Sequence, residues 1–180
     1  MKKLLIIYVL LAAIIFVGFK YFFKYAACED MLFLLSPVNF LVSILSGSES
    51  IYSSTYGYFH PRLNITIEKG CSAYNFFMML FLLCVYHYSK LIKGFYNIFL
   101  FNILSLLIAY VVVILANTAR ILSRIHFNST PLVSQFQNPL LIHEAIGIIN
   151  FFFFLIALNF ILIKIIDYEK PTSSRAILHT

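Results

Sequence analysis

The chain has 180 residues, of which 62% are hydrophobic and 11% are charged. Soluble domains carry roughly 25% charged residues, and a soluble globule of this size could not bury so much apolar surface. The composition argues against a soluble enzyme, a disordered chain and a disulfide scaffold, and it indicates a bilayer as the solvent. The net charge of +6 sits on scattered basic residues at the ends of apolar runs, a pattern typical of topology anchors rather than of nucleic-acid binding.

Four apolar stretches approach the length of about 20 residues that a membrane-spanning helix needs. We expect transmembrane helices over residues 4–19, 72–88, 98–119 and 145–162. At 1.5 Å per residue they reach roughly 24–33 Å, enough to cross with little tilt or slight thinning. The predicted fold class is an all-α integral membrane protein that forms a single membrane-embedded domain over residues 1–180.

The first stretch resembles a signal peptide, with two lysines, an apolar region and then small residues before Cys28. Lys20 and Lys24 interrupt the region before those small residues, so an uncleaved signal anchor over residues 1–30 is the better interpretation. The catalytic core is then expected over residues 31–168, followed by a polar tail.

A fifth apolar stretch, residues 31–45, is shorter and is interrupted by Pro37 and three other polar or helix-breaking positions. We expect a short interfacial or re-entrant helix there, and a spanning helix is the alternative. After it, Leu63, Ile65 and Ile67 alternate with polar residues, which predicts a small β-hairpin just before Cys71. The other long connection covers residues 125–141.

Orientation follows from the basic residues. With four spans and a cytoplasmic N-terminus, a small majority of the lysines and arginines lies inside, in agreement with the positive-inside rule. If residues 31–45 spanned instead, Lys90 and Lys93 would lie outside. We therefore prefer four spans.

Under this topology Cys71, Arg120 and His143 meet at the outer membrane level, each at the end of a different long helix. A cysteine thiolate is a nucleophile that a nearby cation favours, and a histidine can take and return its proton. An arginine stays charged and can stabilise an oxyanion. Together these three residues indicate acyl transfer by a cysteine nucleophile. Taken singly, each residue also has a plain structural explanation. Cys71 could be a small buried hydrophobe, Arg120 a headgroup anchor and His143 an interfacial hydrogen-bonding group.

Three short motifs contain these residues, in the order Glu68-Lys69-Gly70-Cys71-Ser72-Ala73, Asn117-Thr118-Ala119-Arg120-Ile121 and His143-Glu144-Ala145-Ile146-Gly147. They resemble the Cys-Ser-Gly-type, Asn-x-x-Arg-Ile and His-x-x-x-Gly motifs of the exosortase/archaeosortase family. The resemblance covers about residues 32–150, and the short chain is similar to the compact members called exosortase K. Ala73 departs from the family pattern, which has glycine there.

The resemblance implies a cysteine peptidase or transpeptidase on the outer face of a bacterial inner membrane. Such enzymes cleave exported proteins near a C-terminal signal made of a short motif, a transmembrane helix and a basic tail. Carried over to this chain, Cys71 is the nucleophile, Arg120 stabilises the transition state and His143 is the acid/base. The expected partners are these substrates and membrane lipids, with no nucleic acid, cofactor or metal.

Two further residues are weaker candidates. Asn117 precedes Arg120 by about one helical turn and could orient it, or it could be a buried amide that caps the helix end. Arg124 lies one turn beyond Arg120 and could bind a substrate carboxylate, or it could contact lipid phosphate. The rival function is a non-enzymatic membrane protein, such as a transporter subunit or an assembly scaffold. The recognised signal, the acyl acceptor and the oligomeric state stay open.

Overall fold

In a computed structural model, the chain is described over residues 2–92, 94–128 and 139–169. These ranges contain five α-helices and a three-stranded antiparallel sheet. The helices are α1 (Lys2–Tyr25), α2 (Leu32–Ser46), α3 (Tyr74–Tyr88), α4 (Phe95–Asn128) and α5 (Pro139–Glu169), and the strands are β1 (Ile51–Ser53), β2 (Gly57–His60) and β3 (Ile65–Ile67).

Five helical segments of the described chain are long and apolar enough to cross a membrane. Four correspond to the stretches that we expected to span. The fifth, Glu29–Ser46, joins a short 3-10 turn to α2 and has a mean hydropathy of 1.4, against 1.3 for Lys69–Leu91. Length and hydropathy therefore do not distinguish α2 from the other four candidate spans. The course of the chain before and after α2 says more about whether this helix crosses.

Helix α4 is the centre of the bundle and packs against each of the other four helices. Its buried positions include Ala109, Val113 and Ala116. Small side chains at these positions let neighbouring helix backbones approach closely, as is usual where helices pack in an apolar solvent.

Helix α1 ends where α3 begins, and several hydrogen bonds join the two. Lys69 Nζ donates to the Ala26 carbonyl at 2.6 Å, and the Tyr74 hydroxyl donates to the Phe19 carbonyl at 2.8 Å. We call this end of the bundle, which also holds Cys71, the Cys71 end. The segment between Ala26 and Lys69, which contains α2 and the sheet, therefore leaves and returns to the same end.

Helix α2 continues through Pro37, although proline has no N–H to donate to the carbonyl four residues earlier. That carbonyl belongs to Phe33, and it accepts a hydrogen bond from the Tyr110 hydroxyl of α4 at 2.7 Å instead. The side chain of a neighbouring helix thus satisfies the group that the proline leaves free, which removes part of the usual cost of a proline in a helix.

The predicted hairpin is present as β2 and β3, with Phe59 opposite Thr66. Strand β1 adds a third strand, with Tyr52 opposite Tyr58, that the sequence analysis did not predict. Gly57 begins β2 at φ 83°, and a Cβ there would lie 2.3 Å from the Ile67 carbonyl oxygen. Only glycine fits this close approach of β2 to β3.

The helix ends differ from the predicted ones. Helix α4 continues beyond residue 119 to Asn128, and α5 begins at Pro139 instead of residue 145. Neither Arg120 nor Arg124 breaks a helix, and proline is well suited to the first helical position because its missing N–H would have no intrahelical partner there. Arg120 therefore lies well inside α4.

The bundle interior contains buried polar side chains, among them Asn102 and Ser105 of α4. His87 of α3 is also buried, and its Nε2 lies 2.9 Å from Asn159 Oδ1 of α5. This pair joins α3 to α5 near the end of the bundle opposite Cys71.

Candidate active site

Cys71 lies in a 3-10 turn, Lys69–Cys71, between strand β3 and helix α3. Its backbone N–H donates to the Glu68 carbonyl at 2.8 Å. Its own carbonyl accepts a hydrogen bond from Asn117 Nδ2 at 2.6 Å. The residue is half-buried. Cys71 is thus held by its own turn and by a side chain of α4.

Ala73, directly before α3, adopts the left-handed conformation at φ 55° and ψ 26°. A non-glycine residue there costs about 1 to 2 kcal/mol, because its Cβ crowds the following carbonyl oxygen. The left-handed residue turns the chain from the Cys71 turn into α3. This position is the one at which the resembling family has glycine, so the backbone geometry suits the family residue better than the alanine present.

Arg120 extends from α4 towards α5. Its guanidinium carbon lies 5.4 Å from the centre of the Phe151 ring, within the range of a cation–π contact. Arg120 Nε is buried without a hydrogen-bond partner in the described chain. A Cβ built on Gly147 would stand 3.1 Å from that nitrogen. Gly147 and Phe151 lie one turn apart on α5, and together they form the surface on which Arg120 rests.

Two cavities meet at Arg120. A small one, about 20 Å³, is lined by β3, Ile121 and the side chains of Cys71, Arg120 and Arg124. A volume of 20 Å³ is enough for about one water molecule. The larger cavity, about 410 Å³, lies between α3 and α5 and is lined by both neighbours of Cys71, namely Gly70 and Ser72. The structure therefore brings Cys71, Arg120 and Arg124 together.

The third predicted catalytic residue is His143. Its backbone belongs to α5, four residues before Gly147, and therefore lies one helical turn from the glycine that contacts Arg120. The His143 side chain lies outside the described part of the structure, as do residue 170 and the rest of the polar tail.

Asn117 has a different contact from the one expected. Its amide holds the Cys71 carbonyl, and no hydrogen bond joins it to Arg120. It does not cap a helix end either, because α4 continues for eleven residues to Asn128. Asn117 is completely buried, which makes it a positioning residue for the cysteine turn.

Several buried polar atoms near this site have no hydrogen-bond partner among the described residues. They are Ser72 Oγ, Asn117 Oδ1, Thr118 Oγ1 and Arg120 Nε. Unpaired buried polar groups are rare in folded proteins, because each one costs about 1 to 3 kcal/mol. These four atoms lie within two short segments, whereas Tyr8 Oη, His87 Nδ1 and Asn102 Oδ1 are unpaired elsewhere in the described bundle. Ser72, Thr118 and Gly147 stand inside the quoted motifs, but the sequence assigned them no role.

The described part of the chain contains no group of three metal-ligating side chains. No carboxylate in that part forms an ion pair with Arg120. All three cysteines are free thiols. Cys28 is half-buried near β2 at the Cys71 end, whereas Cys84 is buried within α3.

Comparison of this chain with protein-family models, with curated proteins and with solved structures gives no match.

Proposed function

We propose that this protein is a membrane-embedded cysteine peptidase or transpeptidase of the exosortase/archaeosortase type. It cleaves a C-terminal sorting signal of exported proteins through an acyl-enzyme on Cys71. The observation that carries the proposal is that Cys71 and Arg120 line one cavity while α5, the helix of His143, packs against Arg120 through Gly147.

In the first step, Cys71 Sγ attacks the carbonyl carbon of the scissile peptide bond, and His143 accepts the thiol proton. The carbonyl oxygen gains the negative charge, which the Arg120 guanidinium stabilises. When the tetrahedral intermediate collapses, the C–N bond breaks and His143 gives its proton to the leaving amine.

The product of this step is a thioester on Cys71. A second nucleophile, either water or an acceptor hydroxyl or amine, then attacks the thioester carbonyl and gives a proton to His143. Collapse expels the Cys71 thiolate, which recovers the proton. The Asn117 amide keeps the Cys71 turn in place through both steps, because its hydrogen bond goes to the backbone and does not involve the sulfur.

The proposed membrane arrangement has the Cys71 end on the outer face of a bacterial inner membrane. Helices α1, α3, α4 and α5 span, whereas α2 dips in and returns. The path of the chain supports this, because Lys69 contacts Ala26 after the whole segment between them. If α2 crossed alone, the short strands that follow would have to bring the chain back through hydrocarbon, where open sheet edges are unfavourable.

A second candidate is a non-enzymatic membrane protein, such as a transporter subunit or an assembly scaffold. The buried His87–Asn159 pair favours it, because such proteins place polar groups between packed helices. The pair lies towards the end opposite Cys71, however, and not at the midplane where transporters bind substrates. Unpaired buried atoms occur at both places, His87 Nδ1 among them, but the group around Cys71 and Arg120 is larger, so we prefer the enzyme.

The first test measures whether Cys71 is an accessible thiolate on the outer face. Because Cys28 is also half-buried at the same end, the experiment starts from a Cys28→Ser, Cys84→Ala background in which Cys71 is the remaining thiol. Intact cells are treated with a membrane-impermeant thiol reagent. We expect rapid labelling of Cys71 and several-fold slower labelling after Arg120→Gln or His143→Gln.

A matched variant that keeps Cys28 as the single thiol reports reaction at an ordinary cysteine of the same end. Arg120→Gln should leave its rate unchanged. Labelling of Cys71 only in opened cells would reverse the orientation. Absence of labelling in folded protein would favour the scaffold. With a co-expressed substrate, Cys71→Ala, Arg120→Ala and His143→Ala should each abolish processing, and Cys84→Ala should not.

A further inference from the structure

The large cavity has a mainly apolar lining. It lies between α3 and α5, and the residues along its α5 wall run from Ile148 to Leu155. These residues are seven positions apart, so the wall extends for about 10 Å along the helix. Phe76 and Met79 form the α3 wall. A volume of about 410 Å³ in this shape suits an elongated hydrocarbon group.

The cavity opens sideways, on the surface of the bundle that would face hydrocarbon in a bilayer. Met79 is 53% exposed, Phe152 is 61% exposed and Ile148 is 68% exposed, although each lines the cavity. A molecule that enters between these side chains comes from the lipid phase and does not have to cross the protein.

The charge in the cavity lies at the Cys71 end. Of the described residues that line it, Arg120 is the only charged one. Its Nε has no partner, and no carboxylate of the described chain neutralises it. Lys20 is bound to Asn75, which also lines the cavity, through a hydrogen bond of 2.7 Å. One end of an apolar cavity thus has two cations nearby. The Glu68 carboxylate also lies at this end, 3.5 Å from where a Cβ on Gly70 would stand, but no ion pair joins it to Arg120 or Lys20 in the described chain. A cation is costly in a medium of low dielectric constant unless an anion accompanies it.

We propose that this cavity binds one molecule of an anionic phospholipid, with an acyl chain between α3 and α5 and the phosphate at the Arg120 guanidinium. The lateral opening admits the chain, and the Arg120 guanidinium, which forms no ion pair within the described chain, supplies the charge-assisted hydrogen bonds that a phosphate accepts. Neither contact uses the sulfur of Cys71, so binding does not require the thiol. The phosphate would occupy the guanidinium that the proposed mechanism assigns to the oxyanion, so the lipid and a reacting substrate exclude each other at Arg120.

The test is native mass spectrometry of the full-length protein in detergent, titrated with phosphatidylglycerol, with zwitterionic phosphatidylcholine and with inorganic phosphate. We expect one phosphatidylglycerol per chain, bound about tenfold more tightly than phosphatidylcholine, which corresponds to about 1.4 kcal/mol. Inorganic phosphate alone should not bind, because it lacks the chain. Equal binding of the two lipids, or binding of phosphate alone, would overturn the proposal.

Variants test the contact of the phosphate with Arg120 and the contact of the acyl chain with the cavity wall separately. Arg120→Gln should remove the preference for phosphatidylglycerol over phosphatidylcholine. Met79→Trp should fill the cavity and weaken the binding of both lipids. Leu82→Trp is the matched control, since Leu82 is 41% exposed on the same helix but does not line the cavity. If Arg120→Gln fails to fold, Met79→Trp and Leu82→Trp still test whether the lipid lies in the cavity. Equal lipid binding by these two variants would contradict the proposal. Cys71→Ala should bind as the wild type does, so a failed enzyme hypothesis leaves this result intact.

Discussion

Gly147 of α5 lies directly against the guanidinium of Arg120 on α4, so that a Cβ on the glycine would stand 3.1 Å from Arg120 Nε. Contacts this short require one partner to move, and the nitrogen cannot retreat far because its guanidinium also rests near the Phe151 ring. The distance between α4 and α5 at this level is therefore set by the absence of a side chain at residue 147.

Replacing this glycine tests the contact. The usual overpacking cost of about 1–3 kcal/mol is offset by the gain of about 1 kcal/mol that alanine has over glycine inside a helix. Gly147→Ala should therefore displace Arg120 by a few tenths of an ångström and destabilise the fold by at most about 2 kcal/mol. It should also slow the labelling of Cys71. Gly18→Ala is the control, because its Cβ would meet nothing within 4 Å. Thermal unfolding in detergent and the labelling rate are the two measurements. Unchanged values for Gly147→Ala would show that Arg120 does not need this glycine.

Ala73→Gly should stabilise the protein by about 1 kcal/mol, because glycine adopts the left-handed conformation without the crowding that alanine suffers. Asn64→Gly is a matched comparison, since Asn64 also has a positive φ of 51°. Asparagine tolerates the left-handed region better than alanine does, so Asn64→Gly should stabilise the protein less than Ala73→Gly. The denaturation midpoints of the two variants measure these gains in stability. A loss of stability in Ala73→Gly would contradict the left-handed conformation of Ala73.

Asn117→Ala removes the hydrogen bond to the Cys71 carbonyl and leaves that carbonyl without its partner. We expect a loss of about 1–3 kcal/mol together with a changed rate of Cys71 labelling, because the turn that holds the sulfur loosens. Asn102→Ala serves as the control. Asn102 is also buried on α4, but its amide donates to the Ile98 carbonyl of its own helix. A labelling rate that responds equally to both substitutions would argue against a positioning role for Asn117.

Stability should fall in acid because of His60, which is buried between the sheet and α2. Its Nε2 lies 2.9 Å from Asn39 Oδ1. Burial lowers the pKa of His60 below its usual value of 6.5, and the contact with Ser48 acts in the opposite, smaller sense. The unfolded chain therefore binds the proton at a higher pH than the folded one. The contribution of His60 is complete above about pH 6.5 and is lost as the pH falls towards the lowered pKa.

Unfolding midpoints between pH 5 and 8 should accordingly decline in the acid range for the wild type. His60→Gln should flatten that decline, although it lowers the midpoint at neutral pH. His179→Gln, in the C-terminal segment of the sequence, provides a histidine control and should retain the wild-type profile. If His60→Gln kept the full acid dependence, another group would be responsible.

The sequence predicted the parts of the fold that follow from periodicity. The long apolar runs became helices, and the alternation of Ile65 and Ile67 became a strand. Strand β1 was missed because its residues, Ile51-Tyr52-Ser53, do not alternate between apolar and polar side chains and are mostly exposed. The end of α4 was placed too early, since hydropathy falls at Arg120 while helix propensity does not.

For the candidate site, the motifs named Cys71 and Arg120, which the structure places on one cavity. They did not reveal that the Asn117 amide reaches Cys71, because the two residues are 46 positions apart and their contact depends on how α4 packs against the turn before α3. The left-handed conformation of Ala73 was equally hidden, since alanine rarely adopts it.

The proline in α2 has a consequence for how this helix can move. Because Pro37 leaves the Phe33 carbonyl to Tyr110, a shift of α2 along α4 by one turn would remove the hydroxyl and leave the carbonyl bare in apolar surroundings. An ordinary helix, whose backbone groups are all paired internally, could slide without that penalty. The residue that looks like a helix breaker therefore fixes the register of α2 against α4, and with it the height at which the sheet meets the cysteine turn.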